Sequence, residues 1–309
     1  MKLSIVATLY KSAGSISEFC LRASEAARTL VGDDYEIILV NDGSPDDSLD
    51  RARALVDGDP HIVAVDLSRN FGHHKAMITG LAHAQGDRIL LIDSDLEEDP
   101  AWLLPFAERM EESNADVVYG VQEYRKGSRS ERWSGEIFYS LFRRITGLDL
   151  PRNIVTARLM TRRYTDALLL HREREVFLAG LWHITGFLQT PMIVKKLSLS
   201  HTTYTWPMKF NILVNSITSF SNAPLIFIFN VGIGISALSL LYIAYLVVNR
   251  VFLASPLSGW TSVMASIWLI GGLVISFIGI LGIYVSKIFT ETKQRPYSIV
   301  RGIYGRDEK

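Results

Sequence analysis

Residues 1 to about 205 alternate short apolar runs with segments of helical periodicity. The apolar runs have the length of buried strands, and they cover Leu3 to Leu9, Tyr35 to Asn41, Ile62 to Leu67, Arg88 to Ile92 and Asp116 to Val121. Helical spacing covers residues 15–30, 48–56, 73–83 and 102–112. Strands that alternate with helices usually build a mostly parallel sheet. The pattern therefore predicts an α/β domain.

The hydrophobic pattern changes in the last third of the chain. Leu225 to Val248 and Ser262 to Val285 are uncharged, and each exceeds the roughly 20 residues that a helix needs to cross a bilayer. We therefore predict two transmembrane helices. Between the α/β domain and the first span, Trp206 to Ser221 alternates apolar and polar residues. This pattern favours an amphipathic helix at the membrane surface over a plain connecting helix.

The charges that flank the two spans predict their orientation. The connection between the spans carries only Arg250, whereas six basic residues follow the second span: Lys287, Lys293, Arg295, Arg301, Arg306 and Lys309. The positive-inside rule then places the tail, and with it the N-terminal domain, in the cytoplasm. We predict an α/β domain at 1–205, an interfacial helix at 206–222, a transmembrane domain at 223–287 and a cytoplasmic tail at 288–309.

Composition excludes several classes of protein. The formal net charge is zero, which argues against a bulk nucleic-acid binder. Cys20 is the only cysteine, so no intrachain disulfide is possible. The apolar stretch at the N-terminus is too short for a secretory signal. No glycine-rich dinucleotide fingerprint or phosphate loop follows any predicted strand, which disfavours dehydrogenases and P-loop enzymes.

The most informative polar cluster follows the fourth predicted strand, where Asp93-Ser94-Asp95 is followed by Glu97. Acids at the carboxyl end of a parallel strand lie where open α/β sheets bind ligands. Carboxylate oxygens suit Mg²⁺ or Mn²⁺, so Asp93, Asp95 and Glu97 are candidate metal ligands. The alternative is a set of solvated loop acids, one of which caps the next helix.

Two further polar clusters follow the second and third strands. Asp42 lies in Asn41-Asp42-Gly43-Ser44, and Arg69 and Asn70 lie in Ser68-Arg69-Asn70-Phe71-Gly72. An acid at the position of Asp42 can accept hydrogen bonds from a nucleobase or a ribose, although a simple Asp-Gly turn also explains it. Three clusters at three successive strand ends together predict one ligand site.

These motifs, with Val117 to Gly120, Arg158-Leu159-Met160, Ser219-Phe220-Ser221 and Pro256 to Trp260, occur in the order found in family 2 glycosyltransferases. The chain resembles their membrane-anchored branch, the polyprenyl-phosphate sugar transferases. The resemblance implies a GT-A catalytic domain, Rossmann-like with a mostly parallel sheet, followed by two transmembrane α-helices. It also implies a bacterial inner-membrane protein of several spans and a homo-oligomer, with a tetramer as one form.

The activity implied by the resemblance is inverting transfer of a monosaccharide from a nucleotide-diphosphate sugar, with a UDP-sugar favoured, to polyprenyl phosphate for modification of a surface glycan such as O-antigen. Asp42, Arg69, Asn70 and Asp93 would bind the nucleotide sugar. Asp95 would be catalytic through the metal, Mg²⁺ or Mn²⁺, and Asp93 and Glu97 would be its other ligands.

The acceptor side departs from the family pattern, because Thr156 replaces a carboxylate that precedes the Arg-Leu-Met motif in relatives. A lipid phosphate is largely ionised at neutral pH, so it needs a general base less than a sugar hydroxyl does. Arg158, with Arg125 and Arg132, is our candidate for binding the acceptor phosphate. A solvated basic face is the alternative for most arginines of this region.

Two other functions stay open. The first is a membrane scaffold that binds nucleotide sugars without transferring them, since Thr156 and Lys11 depart from the family pattern. A polymer-forming family 2 synthase would need more spans and a Gln-x-x-Arg-Trp element, and the nearest string here runs from Arg129 to Trp133.

Overall fold

The computed structural model describes residues 1–122, 140, 143–147, 153–174, 176–197, 214, 217–253 and 259–306. These residues fall into two compact units. The first, which we call the sheet unit, comprises Met1–Ser140, Leu148–Thr205 and Arg295–Lys309. The second, the helical unit, comprises Leu141–Gly147 and Trp206–Gln294.

The sheet unit contains an eight-stranded sheet with helices on both faces. Its strands are β1 (Leu3–Leu9), β2 (Tyr35–Asn41), β3 (Ile62–Leu67), β4 (Arg88–Leu91), β5 (Val117–Gln122), β6 (Ile154–Thr161), β7 (Gln189–Val194) and β8 (Val300–Tyr304). Its helices are α1 (Ile16–Val31), α2 (Ser48–Gly58), α3 (His73–His83), α4 (Leu103–Ser113), α5 (Arg162–Leu169) and α6 (Leu178–Ile184). A short 3₁₀ turn, Pro100–Trp102, precedes α4.

The strand order is β7-β5-β6-β4-β1-β2-β3-β8. Strands β1 to β4 are parallel to one another, and β7 is parallel to β5. Strand β6 runs antiparallel between β4 and β5, and β8 runs antiparallel to β3. The predicted mostly parallel sheet is confirmed. All four predicted helices and five predicted strands of this part are present, and their ends match the prediction or differ from it by one or two residues.

The core fixes the sheet between two helical layers. Strands β1 and β2 are buried along their whole length, as expected for central parallel strands that are covered on both faces. On one face, Phe19 of α1 and Phe106 of α4 pack over the strands. These covered central strands hold the loops at the carboxyl ends of β1 to β4 in fixed positions.

Three strands were not predicted, for different physical reasons. Strand β6 contains a buried arginine, Arg158, which interrupts its apolar pattern. Strand β7 lies at one edge, where Ile193 is exposed. Strand β8 falls within the segment predicted as a cytoplasmic tail, and in the structure it is the opposite edge of the sheet.

The helical unit contains two long helices, α7 (Ala223–Leu253) and α8 (Trp260–Thr292). Among the described residues, one helical stretch, Leu269–Thr292, is long and apolar enough to cross a membrane. The apolar stretch Ala223–Ile235 of α7 is shorter. Two transmembrane spans therefore stay a prediction. Most of the predicted interfacial helix lies outside the described residues.

Candidate active site

The acid loop, which we define as residues 93–98, begins two residues after the end of β4. Asp93 is largely buried, and its Oδ1 atom lies 3.2 Å from Nε2 of His73 at the start of α3. Nδ1 of His73 lies 3.0 Å from the hydroxyl of Thr8, the penultimate residue of β1. Burial opposes ionisation of Asp93, but His73 and then Lys196 hold its pKa below the ordinary value. The carboxyl ends of β1 and β4 and the start of α3 therefore meet at Asp93.

Asp95 is the most exposed acid of the motif. The negative charges of Asp93 and Glu97 lie near it. Its Oδ1 atom accepts a hydrogen bond of 3.0 Å from the backbone N–H of Glu97. Burial raises the pKa of Asp95, and the nearby charge of Asp93 raises it further. Repulsion between two neighbouring carboxylates is relieved by a divalent cation. Asp93 and Asp95 thus supply the oxygen donors that Mg²⁺ or Mn²⁺ requires.

Glu97 is buried and lies 3.4 Å from Nζ of Lys196. Within the described part of the chain, no three acidic, histidine or cysteine side chains are arranged to hold a metal ion. The residues therefore fit a cation held by two carboxylates together with donor phosphate and water, which is common for Mg²⁺. Glu97 as a third ligand stays a prediction, and it would require Glu97 to leave Lys196.

Two residues missed by the sequence analysis join the acid loop to the neighbouring strands. Glu98 is fully buried and accepts hydrogen bonds from the backbone N–H groups of Thr156, at 3.0 Å, and Ala157, at 2.8 Å. Lys196, just past the end of β7, lies 3.5 Å from Glu98. Burial, followed by the charge of Asp93, raises the pKa of Glu98 to about 7. The sequence gives no signal of this contact, because Glu98 lies in a loop and Lys196 is about one hundred residues away along the chain.

For His73, the sequence by itself favours a solvated residue at a helix start over a role at the donor phosphate. In the structure it connects Thr8 to Asp93. Burial opposes protonation of His73, yet the hydrogen bond to Asp93 raises its pKa overall. Its place directly after Asn70-Phe71-Gly72 was the available signal, because that turn begins α3 at the ligand edge of the sheet.

Asp42 connects the loops that follow β2 and β3. It is buried, and its two carboxylate oxygens accept hydrogen bonds from the backbone N–H groups of Phe71, at 2.7 Å, and Gly72, at 3.0 Å. Gly43 has a φ of 57°, and a side chain there would collide with the backbone of Arg69 and Asn70. Only glycine tolerates both constraints. The predicted contact between Asp42 and the nucleotide stays a prediction beside this observed structural role.

Arg69 and Asn70 are exposed at the same edge of the sheet. The guanidinium of Arg69 donates a hydrogen bond of 3.1 Å to the backbone oxygen of Asn70 and lies 4.2 Å from the ring centre of Phe71. Both side chains are therefore accessible to a ligand. Arg125 and Arg132, our other candidates for the acceptor phosphate, lie outside the described residues.

Arg158 lies on β6, opposite Leu91 at the end of β4 and opposite Tyr119 of β5. It is only 2 % exposed. Its Nε atom donates a hydrogen bond of 3.2 Å to the backbone oxygen of Thr156, and its guanidinium stacks 3.0 Å from the ring centre of Trp182. Among the described residues, no carboxylate forms a salt bridge with Arg158. Burial lowers its pKa to about 9.

A cavity of about 370 Å³ opens beside Arg158. Its wall combines cationic, amide and aromatic side chains, including Tyr119, Arg158, Trp182, His183, Phe187 and Gln189. The Nε1 donor of Trp182 is buried, and the described residues offer it no acceptor. A buried polar group normally has a hydrogen-bond partner. A cavity lined by a cation that has no carboxylate partner among the described residues is suited to an anionic ligand.

Comparison with known proteins shows the family of this chain. Residues 4–169 match the model of "Glycosyl transferase family 2". The chain belongs to this family. One relative is a protein of Mycobacterium tuberculosis (strain CDC 1551 / Oshkosh) whose name describes it as a glycosyltransferase. It is 50% identical over 99% of this chain and 90% of its own length.

Relatives with a more specific name are also similar along their whole length. The bactoprenol glucosyl transferase of Shigella phage SfV is 31% identical over 97% of this chain and 98% of its own length. Among solved structures, Staphylococcus aureus TarS 1-349 in complex with UDP-GlcNAc is similar over 71% of this chain and 66% of its own, with 18% identity and a TM-score of 0.48. The glycosyltransferase class of this protein thus follows from its family.

Proposed function

We propose that this glycosyltransferase moves a monosaccharide, with inversion, from a nucleotide-diphosphate sugar to a polyprenyl phosphate. The observation that carries the proposal is the pair Asp93 and Asp95 at the carboxyl end of β4, beside the loops held by Asp42. The relatives named bactoprenol glucosyl transferases supply the acceptor class. The product would serve surface glycans such as O-antigen.

On the donor side, Arg69 and Asn70 are exposed at the sheet edge and would bind the nucleotide sugar, for which we favour UDP. Asp93 and Asp95 would hold Mg²⁺ or Mn²⁺, with Glu97 as a further ligand if it exchanges Lys196 for the metal. When bound, such a cation stabilises the charge of a departing diphosphate. His73 would keep Asp93 oriented and ionised.

On the acceptor side, Arg158 would pair with the lipid phosphate. Its buried guanidinium faces no carboxylate among the described residues, and it lines the cavity together with Trp182. Glu98 fixes the backbone at Thr156 and Ala157, next to Arg158 on β6. A phosphate that is already anionic attacks without a general base, so the absence of a carboxylate at Thr156 is compatible with transfer.

The membrane part of the proposal rests on the path of the chain. Helices α7 and α8 follow residue 205, and β8 then pairs with β3 in the same sheet as β1. If these helices enter the membrane, the chain must cross it an even number of times, because both ends of the chain belong to one sheet. We therefore propose two spans, with the sheet unit and both termini at the cytoplasmic face of a bacterial inner membrane. A homo-oligomer, including a tetramer, is part of this proposal.

The test uses purified full-length protein, undecaprenyl phosphate, Mg²⁺ or Mn²⁺ and a panel of labelled nucleotide sugars. We expect one donor to yield a lipid-linked monosaccharide, and we expect chelation of the metal to stop the reaction. Asp95→Asn should reduce transfer by at least about a hundredfold, since it removes a charge that the transition state needs. Asp87→Asn is the matched control, because Asp87 is exposed just before the opposite end of β4.

Two outcomes would contradict the proposal. If the protein binds a nucleotide sugar but transfers no sugar from any donor, it is a binding scaffold. If the product is a polymer of sugars, it is a processive synthase. Unchanged turnover in Asp95→Asn would show that the metal assignment is wrong even if transfer is observed.

A further inference from the structure

The strand that follows the last long helix contacts the loops of the proposed donor site. Strand β8 covers the outer edge of β3, and the backbone N–H of Ser68 donates a hydrogen bond of 2.9 Å to Ile299. Ser68 begins the loop that carries Arg69 and Asn70. The segment after α8 is therefore attached to one of the two loops of the nucleotide side.

Arg301 of β8 contacts both the end of β3 and the loop that follows it. One of its guanidinium nitrogens donates a hydrogen bond of 2.7 Å to the backbone oxygen of Ser68. Another lies 3.5 Å from Oδ2 of Asp66, a carboxylate that is 1% exposed. The Oδ2 atom of Asp66 accepts no hydrogen bond from the described residues, so the charge of Arg301 is its nearest compensation.

Asp66 is connected to the loop after β2 by hydrogen bonds. Its Oδ1 atom accepts a hydrogen bond of 2.8 Å from the side-chain amide of Asn41. The amide oxygen of Asn41 in turn accepts a hydrogen bond of 3.2 Å from the backbone N–H of Ser44. The order Arg301, Asp66, Asn41, Ser44 is thus a continuous polar connection from β8 to the turn that contains Asp42 and Gly43.

We propose that Arg301 is a positioning residue for the donor nucleotide, acting on the loops 41–44 and 68–72 through Asp66 and Ser68. This inference rests on the proposed function, because it takes these loops to be the nucleotide side of the site. It gives the segment after the membrane helices a role in donor binding. Because a buried carboxylate that loses its cation is destabilised, removal of Arg301 shifts Asp66 and with it Asn41.

The test measures binding of UDP, with GDP and ADP as further probes, to the purified full-length protein. Arg301→Met should weaken binding of the preferred nucleotide about tenfold, the size expected for losing hydrogen bonds to a charged group. The KM for the donor should rise by a similar factor, while kcat and the KM for the acceptor stay within about twofold. Arg301→Lys, which keeps the charge, should restore part of the affinity.

Arg53→Met is the matched control. The guanidinium of Arg53 lies 4.3 Å from the ring centre of Tyr304, so it contacts the same strand without touching either loop. If Arg301→Met is poorly folded, Asp66→Asn serves instead, since it keeps an oxygen for Asn41 and removes the charge that faces Arg301. It should show the same loss of nucleotide affinity.

Wild-type affinity in Arg301→Met, or an equal loss in Arg53→Met, would overturn this inference and leave the proposed function standing. If the wild-type protein binds none of the three nucleotides, both the inference and the proposed donor site are wrong. A loss of nucleotide affinity confined to Arg301→Met and Asp66→Asn would support the positioning role.

Discussion

Replacement of Arg158 by methionine should stabilise the unliganded protein and abolish its response to the acceptor. The pKa of Arg158 falls from 12.5 to about 9 because the side chain is buried, and at about 1.4 kcal/mol per unit this corresponds to about 4 to 5 kcal/mol. Because the folded group has the lower pKa, this cost is present in full below pH 9 and disappears only as the pH rises above it. Measurements at neutral pH therefore include all of it.

Part of this gain is lost with the contacts that Arg158 makes. The hydrogen bond to Thr156 and the stacking on Trp182 together contribute about 2 to 3 kcal/mol. The net expectation for Arg158→Met is a stabilisation of about 1 to 3 kcal/mol, which corresponds to a rise in Tm of about 3 to 8 °C. Thermal unfolding at pH 7 in detergent measures it.

The control and the ligand response distinguish a functional arginine from a structural one. Arg163→Met should lower Tm, because Arg163 pairs with the buried carboxylate of Asp116. A short-chain prenyl phosphate should raise the Tm of the wild-type protein and leave that of Arg158→Met unchanged. A lower Tm for unliganded Arg158→Met would refute the reasoning, since the buried cation would then be stabilising by itself.

Two further predictions concern the loops and the acid cluster. Asp42→Asn should lower stability by about 2 kcal/mol, because an amide cannot accept from both Phe71 and Gly72; an unchanged Tm with weakened UDP binding would instead indicate direct contact with the nucleotide. In the absence of metal, Lys196→Met should destabilise the protein more at pH 8 than at pH 5.5. The pKa of Glu98 is raised by burial, so the folded state loses stability as pH rises and Glu98 ionises, and without Lys196 that loss grows. Thermal unfolding in EDTA at both pH values measures the difference.

The sequence predicted the parts of this protein in which local pattern and tertiary structure agree. Strands β1 to β4 are covered on both faces, and their sequences are short apolar runs. The apolar sequence of each strand therefore indicates its burial. Parallel strands end at the same edge of the sheet, so the turns that carry Asp42 and Asp95 lie at that edge. Strand position alone therefore located the candidate site.

The missed residues act through contacts between distant parts of the chain. Lys196 reaches the acid loop because β7 pairs with β5, and no local pattern encodes that pairing. Glu98 is a charged residue in a loop, which normally indicates exposure, yet it is fully buried. Its two backbone donors belong to β6, a strand that was not predicted because Arg158 interrupts its apolar pattern. Each missed residue thus depended on another missed element.

The acid loop combines two sets of carboxylates with opposite requirements. Asp93 and Asp95 lie toward the ligand edge, where their repulsion favours a cation. Glu97 and Glu98 are compensated within the protein, by Lys196 and by the backbone of β6. If all four acids depended on the metal, the unliganded loop would carry four uncompensated charges at the sheet edge. Internal compensation of Glu97 and Glu98 lets the loop keep its shape, while Asp95, and Asp93 with His73 beside it, stay available for the donor and its cation.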